Sequence, residues 1–130
     1  MGDGLDILVV DDTPANLTLL SYVLSRNGYA VRTATSANEA LESIARAVPA
    51  AMIVDVQMPG MDGLELTRVL RTRDSTKNIV IVAVTAYAMK GDEERALASG
   101  CDGYISKPVD TRTLAGQLAA VITRCAGRGA

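Results

Sequence analysis

The chain has 130 residues, enough for one domain with a single core and no need of a disulfide or metal staple. A net charge of −2 argues against a nucleic-acid-binding surface, and no apolar run approaches the roughly 18–20 residues that span a bilayer. With no histidine in the sequence, an imidazole base, a histidine–metal site and a phosphohistidine within this chain are all excluded. The apolar residues include no Phe and no Trp, so the core must be built from Leu, Ile, Val, Ala and Met. The amino terminus lacks the basic stretch of a signal peptide, and Asp6 stands where a myristoylation signal carries Ser or Thr. Cys101 and Cys125 have neither metal nor redox spacing, which fits a reduced, cytoplasmic compartment.

Asp6 to Val10 reads as a first buried strand, closed by Asp11 and Asp12. Thr13 suits an N-cap and Pro14 the first helical position; Leu17, Leu20 and Leu24 follow at helical spacing, and Asn27-Gly28 supplies the stop. Tyr29 to Ala34 alternates as a short strand. Ser36 and Glu39 form a capping box, ahead of a helix whose apolar stripe is read as Leu41, Ile44 and Val48 and which ends before Pro49. Ala51 to Val54 is too short for a helix and suits a buried parallel strand ending in Asp55. A Pro/Gly-rich loop runs to Gly63, where Asp62 is placed to cap a third helix carrying Leu66, Val69 and Leu70 inward.

Residues 74–78 are a polar loop, and Ile79 to Val84 is the most β-prone run of the chain, ending at Thr85. After a loop from Ala86 to Gly91, the acids Asp92, Glu93 and Glu94 sit at a helix start, where the macrodipole favours negative charge. That helix closes at Gly100. Gly103 to Ser106 is a short last strand, followed at once by Lys107-Pro108. Asp110 is read as the cap of a final helix with Leu114, Leu118, Val121 and Ile122 inward. Residues 1–4 and 125–130 are expected to fray, leaving a domain of residues 5–124.

Strand and helix thus alternate five times with short loops, which predicts an α/β fold: a parallel sheet with helices on both faces and right-handed crossovers. The flavodoxin-like strand order 2-1-3-4-5 is favoured. In such a sheet all strands end on one edge, so Asp11, Asp12, Asp55, Thr85 and Lys107 can meet there. Three clustered carboxylates repel and raise at least one pKa unless a cation joins them. A hard divalent ion is the natural remedy, and Mg²⁺ suits few carboxylates, a carbonyl and waters, with positions left for phosphate oxygens. A carboxylate nucleophile, a metal, a lysine and a hydroxyl together make a phosphoryl-transfer site.

Four stretches carry a family likeness: Val9-Val10-Asp11-Asp12, Val54-Asp55-x-x-Met58-Pro59-Gly60-x-Asp62-Gly63, Val84-Thr85-Ala86 and Gly103-Tyr104-x-x-Lys107-Pro108. Over about residues 5–124 the chain resembles the receiver domain of two-component response regulators. Thr85 to Arg95 and Tyr104 to Pro108 look most like the single-domain DivK type, and similar text occurs in receivers of hybrid histidine kinases. The resemblance implies that Asp55 is the phosphoacceptor, charged by a sensor histidine kinase or a histidine phosphotransfer protein. It implies Asp11, Asp12, Asp55 and the Gln57 carbonyl as the Mg²⁺ site, with Mn²⁺ as an alternative and Asp11 acting largely through water. Lys107 is implied as the phosphate-pairing lysine, Thr85 as the switch hydroxyl, Tyr104 as the aromatic switch, and Lys107–Pro108 as a cis peptide. The Gln57 side chain is read as incidental, although it and Tyr87 flank the site and are placed to tune dephosphorylation.

On this reading the chain is no conventional enzyme: it catalyses its own phosphorylation and dephosphorylation, then presents a changed surface at residues 91–124 to a downstream protein. The implied state is a monomer or a weak phosphorylation-dependent dimer in the cytoplasm, without nucleic acid or membrane. A phosphatase of the haloacid-dehalogenase type is the competing enzyme reading. Its nucleophile follows the first strand in an Asp-x-Asp motif, however, whereas here that strand ends in Asp11-Asp12 followed by Thr13-Pro14. A receiver module excised from a hybrid kinase or a cyclase-bearing regulator is a third reading that the residues leave open.

Overall fold

The computed structural model describes residues 4–86 and 91–126. In chain order the elements are β1 (Asp6–Val10), α1 (Pro14–Arg26), β2 (Ala30–Ala34), α2 (Ala37–Arg46), β3 (Ala51–Asp55), α3 (Gly63–Arg71), β4 (Val80–Thr85), α4 (Asp92–Ala98), β5 (Gly103–Ser106) and α5 (Leu114–Arg124). The five strands form one parallel sheet in the order β2-β1-β3-β4-β5, the flavodoxin-like order expected.

Alternation along each strand divides the core in two. Ile7, Val9, Ala51, Ile53, Val80 and Val82 meet Leu17, Leu20, Leu24, Leu114 and Leu118, so α1 and α5 cover one face. Leu8, Val10, Met52, Val54, Ile81 and Ala83 meet Ala37, Ala40, Ile44, Leu66, Leu70 and Ala96, so α2, α3 and α4 cover the other. With both faces covered, the central strands β3 and β4 are buried at every position.

The helix starts follow local chemistry, with three departures from the sequence reading. Ser36 Oγ accepts from the Glu39 amide at 3.1 Å, but the Glu39 carboxylate accepts from Thr35 N–H at 2.8 Å rather than from Ser36, so the box closes one residue early. Val48 lies beyond α2 and is 48% exposed; the buried stripe is Ala37, Ala40 and Ile44, with Leu41 half-buried beside it. Asp110 is not the cap of α5, because that helix begins after Thr113. Instead the Asp110 carboxylate accepts from the Arg112 amide at 2.9 Å, and its carbonyl accepts from Thr113 and Leu114, closing a turn before the helix. Asp62 does cap α3: its carboxylate accepts from Leu64 and Glu65 N–H, each at 2.9 Å, while Glu65 returns a bond to Asp62 N–H.

The loop after Asp55 is folded back tightly. Gly63 N–H donates to the Val56 carbonyl at 3.2 Å, bringing the start of α3 against the end of β3. A Cβ at Gly63 would lie 2.4 Å from the Asp55 carbonyl oxygen and 3.0 Å from Val54 Cγ2, so only glycine fits without moving β3. At Gly116 on α5 a Cβ would meet nothing within 4 Å. Gly63→Ala is therefore expected to destabilise the fold by about 1–3 kcal/mol through overpacking, and Gly116→Ala to stabilise it by about 0.5–1 kcal/mol through helix propensity. Urea unfolding of both variants checks this; a Gly63→Ala protein as stable as the parent would contradict the close approach.

Candidate functional site

The site follows from strand register. Val10 of β1 pairs with Val54 of β3, so Asp11, one residue on, comes alongside Asp55. Asp55 pairs with Val84 of β4, which sets Thr85 one step beyond it, and Thr85 pairs with Ser106 of β5, which sets Lys107 one step beyond that. The order of strands across the sheet reverses between β1 and β3, and the crevice at such a switch point is where open α/β sheets bind ligands.

Asp11, Asp55 and Thr85 are buried, at 2%, 3% and 2% exposure, whereas Asp12 is exposed. Lys107 Nζ lies 3.2 Å from Asp55 Oδ2 and 3.9 Å from Asp11 Oδ2, a single ammonium shared by two buried acids. The peptide between Lys107 and Pro108 is cis, as expected. Asp55 Oδ1 accepts from the Gln57 amide at 3.0 Å, and Asp11 Oδ1 accepts from the Thr13 amide at 2.9 Å. Burial pushes the Asp55 carboxyl above its ordinary pKa; the Gln57 amide and Lys107 pull it down, and the Asp11 charge adds a smaller push upward. The raised pKa was expected from mutual repulsion of the acids, but desolvation is the larger cause.

One carboxylate oxygen from each of Asp11, Asp12 and Asp55 falls within 4.8 Å of the others. An all-oxygen set with two buried members and one facing solvent fits a hard divalent cation that keeps several waters. Next to it, a cleft of about 410 Å³ opens between α1 and the loop after β5, with Asp11, Asn16 and Lys107 among apolar walls of Leu19, Leu20 and Pro108.

Tyr104 is half-buried on β5, where it packs against the α2–α4 side of the core and lines a cleft of about 340 Å³ between α4 and α5. Tyr87 lies outside the described residues. Two polar contacts escaped the sequence reading. Asn16 Nδ2 donates to Asp11 Oδ2 at 3.2 Å; an amide in the first turn of α1, so soon after the acidic pair, was a legible sign of that bond. The Gln57 side chain, read as incidental, donates from Nε2 to Thr85 Oγ1 at 2.9 Å and accepts from the Ala86 amide at 3.3 Å. Nothing in the local sequence of the loop after Asp55 signalled these bonds, because both partners lie at the end of β4.

A doubly wound α/β domain whose acids, hydroxyl and lysine gather at successive strand ends is a flavodoxin-like domain with an acidic site at its carboxyl edge. The chain belongs to the response regulator receiver domain family, whose model matches residues 7–119. Members of that family are phosphoacceptors rather than conventional enzymes, bind Mg²⁺ at an acidic pocket, and work between histidine kinases and downstream partners. The polar-differentiation response regulator DivK of Brucella anthropi is 38% identical over 103 residues, 79% of this chain and 84% of that protein. Among solved structures, the chemotaxis protein CheY4 of Vibrio cholerae is 30% identical with a TM-score of 0.86, over 91% of this chain and 98% of the other. The receiver domain of sensor histidine kinase PA1611 from Pseudomonas aeruginosa PAO1 is 32% identical with a TM-score of 0.83, over 92% and 98%; that structure holds a magnesium ion in its active-site cleft.

The raised Asp55 pKa carries a stability consequence. A carboxylate whose folded pKa lies above its unfolded value destabilises the fold at neutral pH, and the penalty is relieved as pH falls through the folded pKa. Asp55→Asn is expected to stabilise the metal-free protein at pH 7, on the order of 1 kcal/mol. The gain should shrink as pH is lowered towards about 4, the unfolded carboxylate range. Urea melts in chelator at several pH values check it; an Asn variant less stable than the parent at pH 7 would contradict the desolvation of Asp55.

Proposed function

We propose that Asp55 accepts a phosphoryl group from the phosphohistidine of a sensor histidine kinase or histidine phosphotransfer protein, and that the charged form is read by a downstream protein. The observation that carries this is the buried Asp55 carboxylate, held at a strand end 3.2 Å from Lys107 with Asp11 beside it. An Asp55 oxygen attacks phosphorus, and the P–N bond to the donor ring breaks with its electron pair returning to that nitrogen. The ring, protonated on its other nitrogen, leaves as neutral imidazole, and an aspartyl phosphate results. No base is needed at the nucleophile beyond keeping it ionised, which Lys107 and the Gln57 amide favour. Lys107 pairs with the charge that develops on the phosphoryl oxygens, and Thr85 offers them its hydroxyl. Asp11, Asp12, Asp55 and the Gln57 carbonyl would hold the divalent cation. When bound, Mg²⁺ or Mn²⁺ neutralises charge between carboxylates and phosphoryl oxygens. Attack of water on the same phosphorus returns Asp55 and inorganic phosphate.

The cleft bounded by Asn16, Leu19, Leu20 and Pro108 supports access for a donor imidazole, because it opens directly onto Asp11 and Lys107. Output through α4, β5 and α5 is supported by Tyr104, which lines the cleft between those helices on the strand that leads to Lys107. We read the chain as a cytoplasmic switch that acts as a monomer or a weak phosphorylation-dependent dimer; among the described residues no helix is long and apolar enough to cross a membrane. Acetyl phosphate with Mg²⁺ should add one phosphoryl group, seen by intact mass, and a chelator should abolish the uptake. Uptake at an undiminished rate in chelator would contradict a metal-assisted carboxylate site.

A further inference from the structure

In the acceptor chemistry above, Gln57 contributes only main-chain groups, yet its side chain spans the gap between β3 and β4. The ends of that amide can be told apart by chemistry. The Ala86 N–H can only donate, so the oxygen Oε1 must face it, at 3.3 Å. The nitrogen Nε2 then faces Thr85 Oγ1 at 2.9 Å, and the hydroxyl oxygen is the acceptor. Thr85 is only 2% exposed. The same residue is tied to the nucleophile through its main chain, since Gln57 N–H donates to Asp55 Oδ1 at 3.0 Å.

Thr85 and Ala86 directly follow Val84, the residue paired with Asp55, so their hydroxyl and amide come one and two steps beyond that pairing, on the edge of the sheet where Asp55 ends β3. The Ala86 N–H has one proton, so a tetrahedral oxyanion on Asp55 that recruits it has to take it from Gln57 Oε1. The Thr85 hydroxyl accepts from Gln57 Nε2, so it leaves that bond only when the anion draws the hydroxyl out of its present position. We propose that the Gln57 side chain is a latch, a positioning residue that holds Thr85 and Ala86 in their unphosphorylated arrangement and sets how readily an anion on Asp55 draws them in. The inference rests on the reading of Asp55 as phosphoacceptor. The latch acts before phosphorylation and opposes the switch, whereas a group that contacted the phosphoryl oxygens would favour it. The two roles therefore predict opposite signs.

Gln57→Met keeps the length of the side chain and the main-chain carbonyl while removing both hydrogen bonds. The probe is beryllofluoride, a tetrahedral mimic of an aspartyl phosphate, titrated at saturating Mg²⁺ into the parent and the Met protein and followed by amide NMR. The latch predicts binding about three- to tenfold tighter in the Met protein, the order expected when one or two neutral hydrogen bonds no longer have to be given up. It also predicts faster hydrogen exchange at the Ala86 amide in the free Met protein. Equal or weaker beryllofluoride binding, or unchanged exchange at Ala86, overturns the latch. If the parent itself fails to bind beryllofluoride, the phosphoacceptor reading of Asp55 falls and the latch falls with it.

Discussion

Two buried carboxylates share one ammonium at the carboxyl edge of the sheet, and most of what is distinctive in this chain serves that contact. Asp11 and Asp55 are brought together by a register that also packs Val10 beside Val54, so the fold cannot relax their proximity without unzipping β1 from β3. Burial of a charge is costly unless it is paired and hydrogen-bonded. Here the pairing comes from Lys107, and the hydrogen bonds come from the Thr13, Asn16 and Gln57 N–H groups. A corner assembled in this way keeps a surplus of negative charge, three carboxylates against one ammonium, that a further cation would offset.

The opposite edge of the sheet is braced. The Arg71 guanidinium donates to the carbonyls of Gly100, Lys77 and Ile79 and pairs with Asp102 at 2.8 Å, while Asp102 accepts from Ile81 N–H. These bonds tie α3 to the entry points of β4 and β5. Thr85 lies at the far end of β4 from this brace, whereas Tyr104 stands next to the entry of β5. The Gln57 bridge crosses from the loop after β3 to the end of β4, on the side of the sheet that holds Asp55.

The strands and the acidic corner were legible because each rests on a local signal. Apolar runs closed by a polar residue marked β1, β3 and β4, and strand-end placement follows from parallel topology alone. The misreadings came where the deciding partner is distant or a competing turn exists. Val48 fits a helical stripe by spacing, but α2 has already ended at Arg46 and the residue points to solvent. Asp110 has the chemistry of a cap and spends it on a turn of its own. The Gln57 side chain meets Thr85, 28 residues away, and no periodicity within the β3–α3 loop encodes that meeting.

The central claim is that, of three neighbouring carboxylates, the nucleophile is the one on β3. It is tested most directly by trapping the aspartyl phosphate with borohydride, which reduces the acyl phosphate to homoserine, and locating the product by peptide mass mapping. The account predicts homoserine at position 55 alone. Homoserine at Asp11 or Asp12 would contradict it.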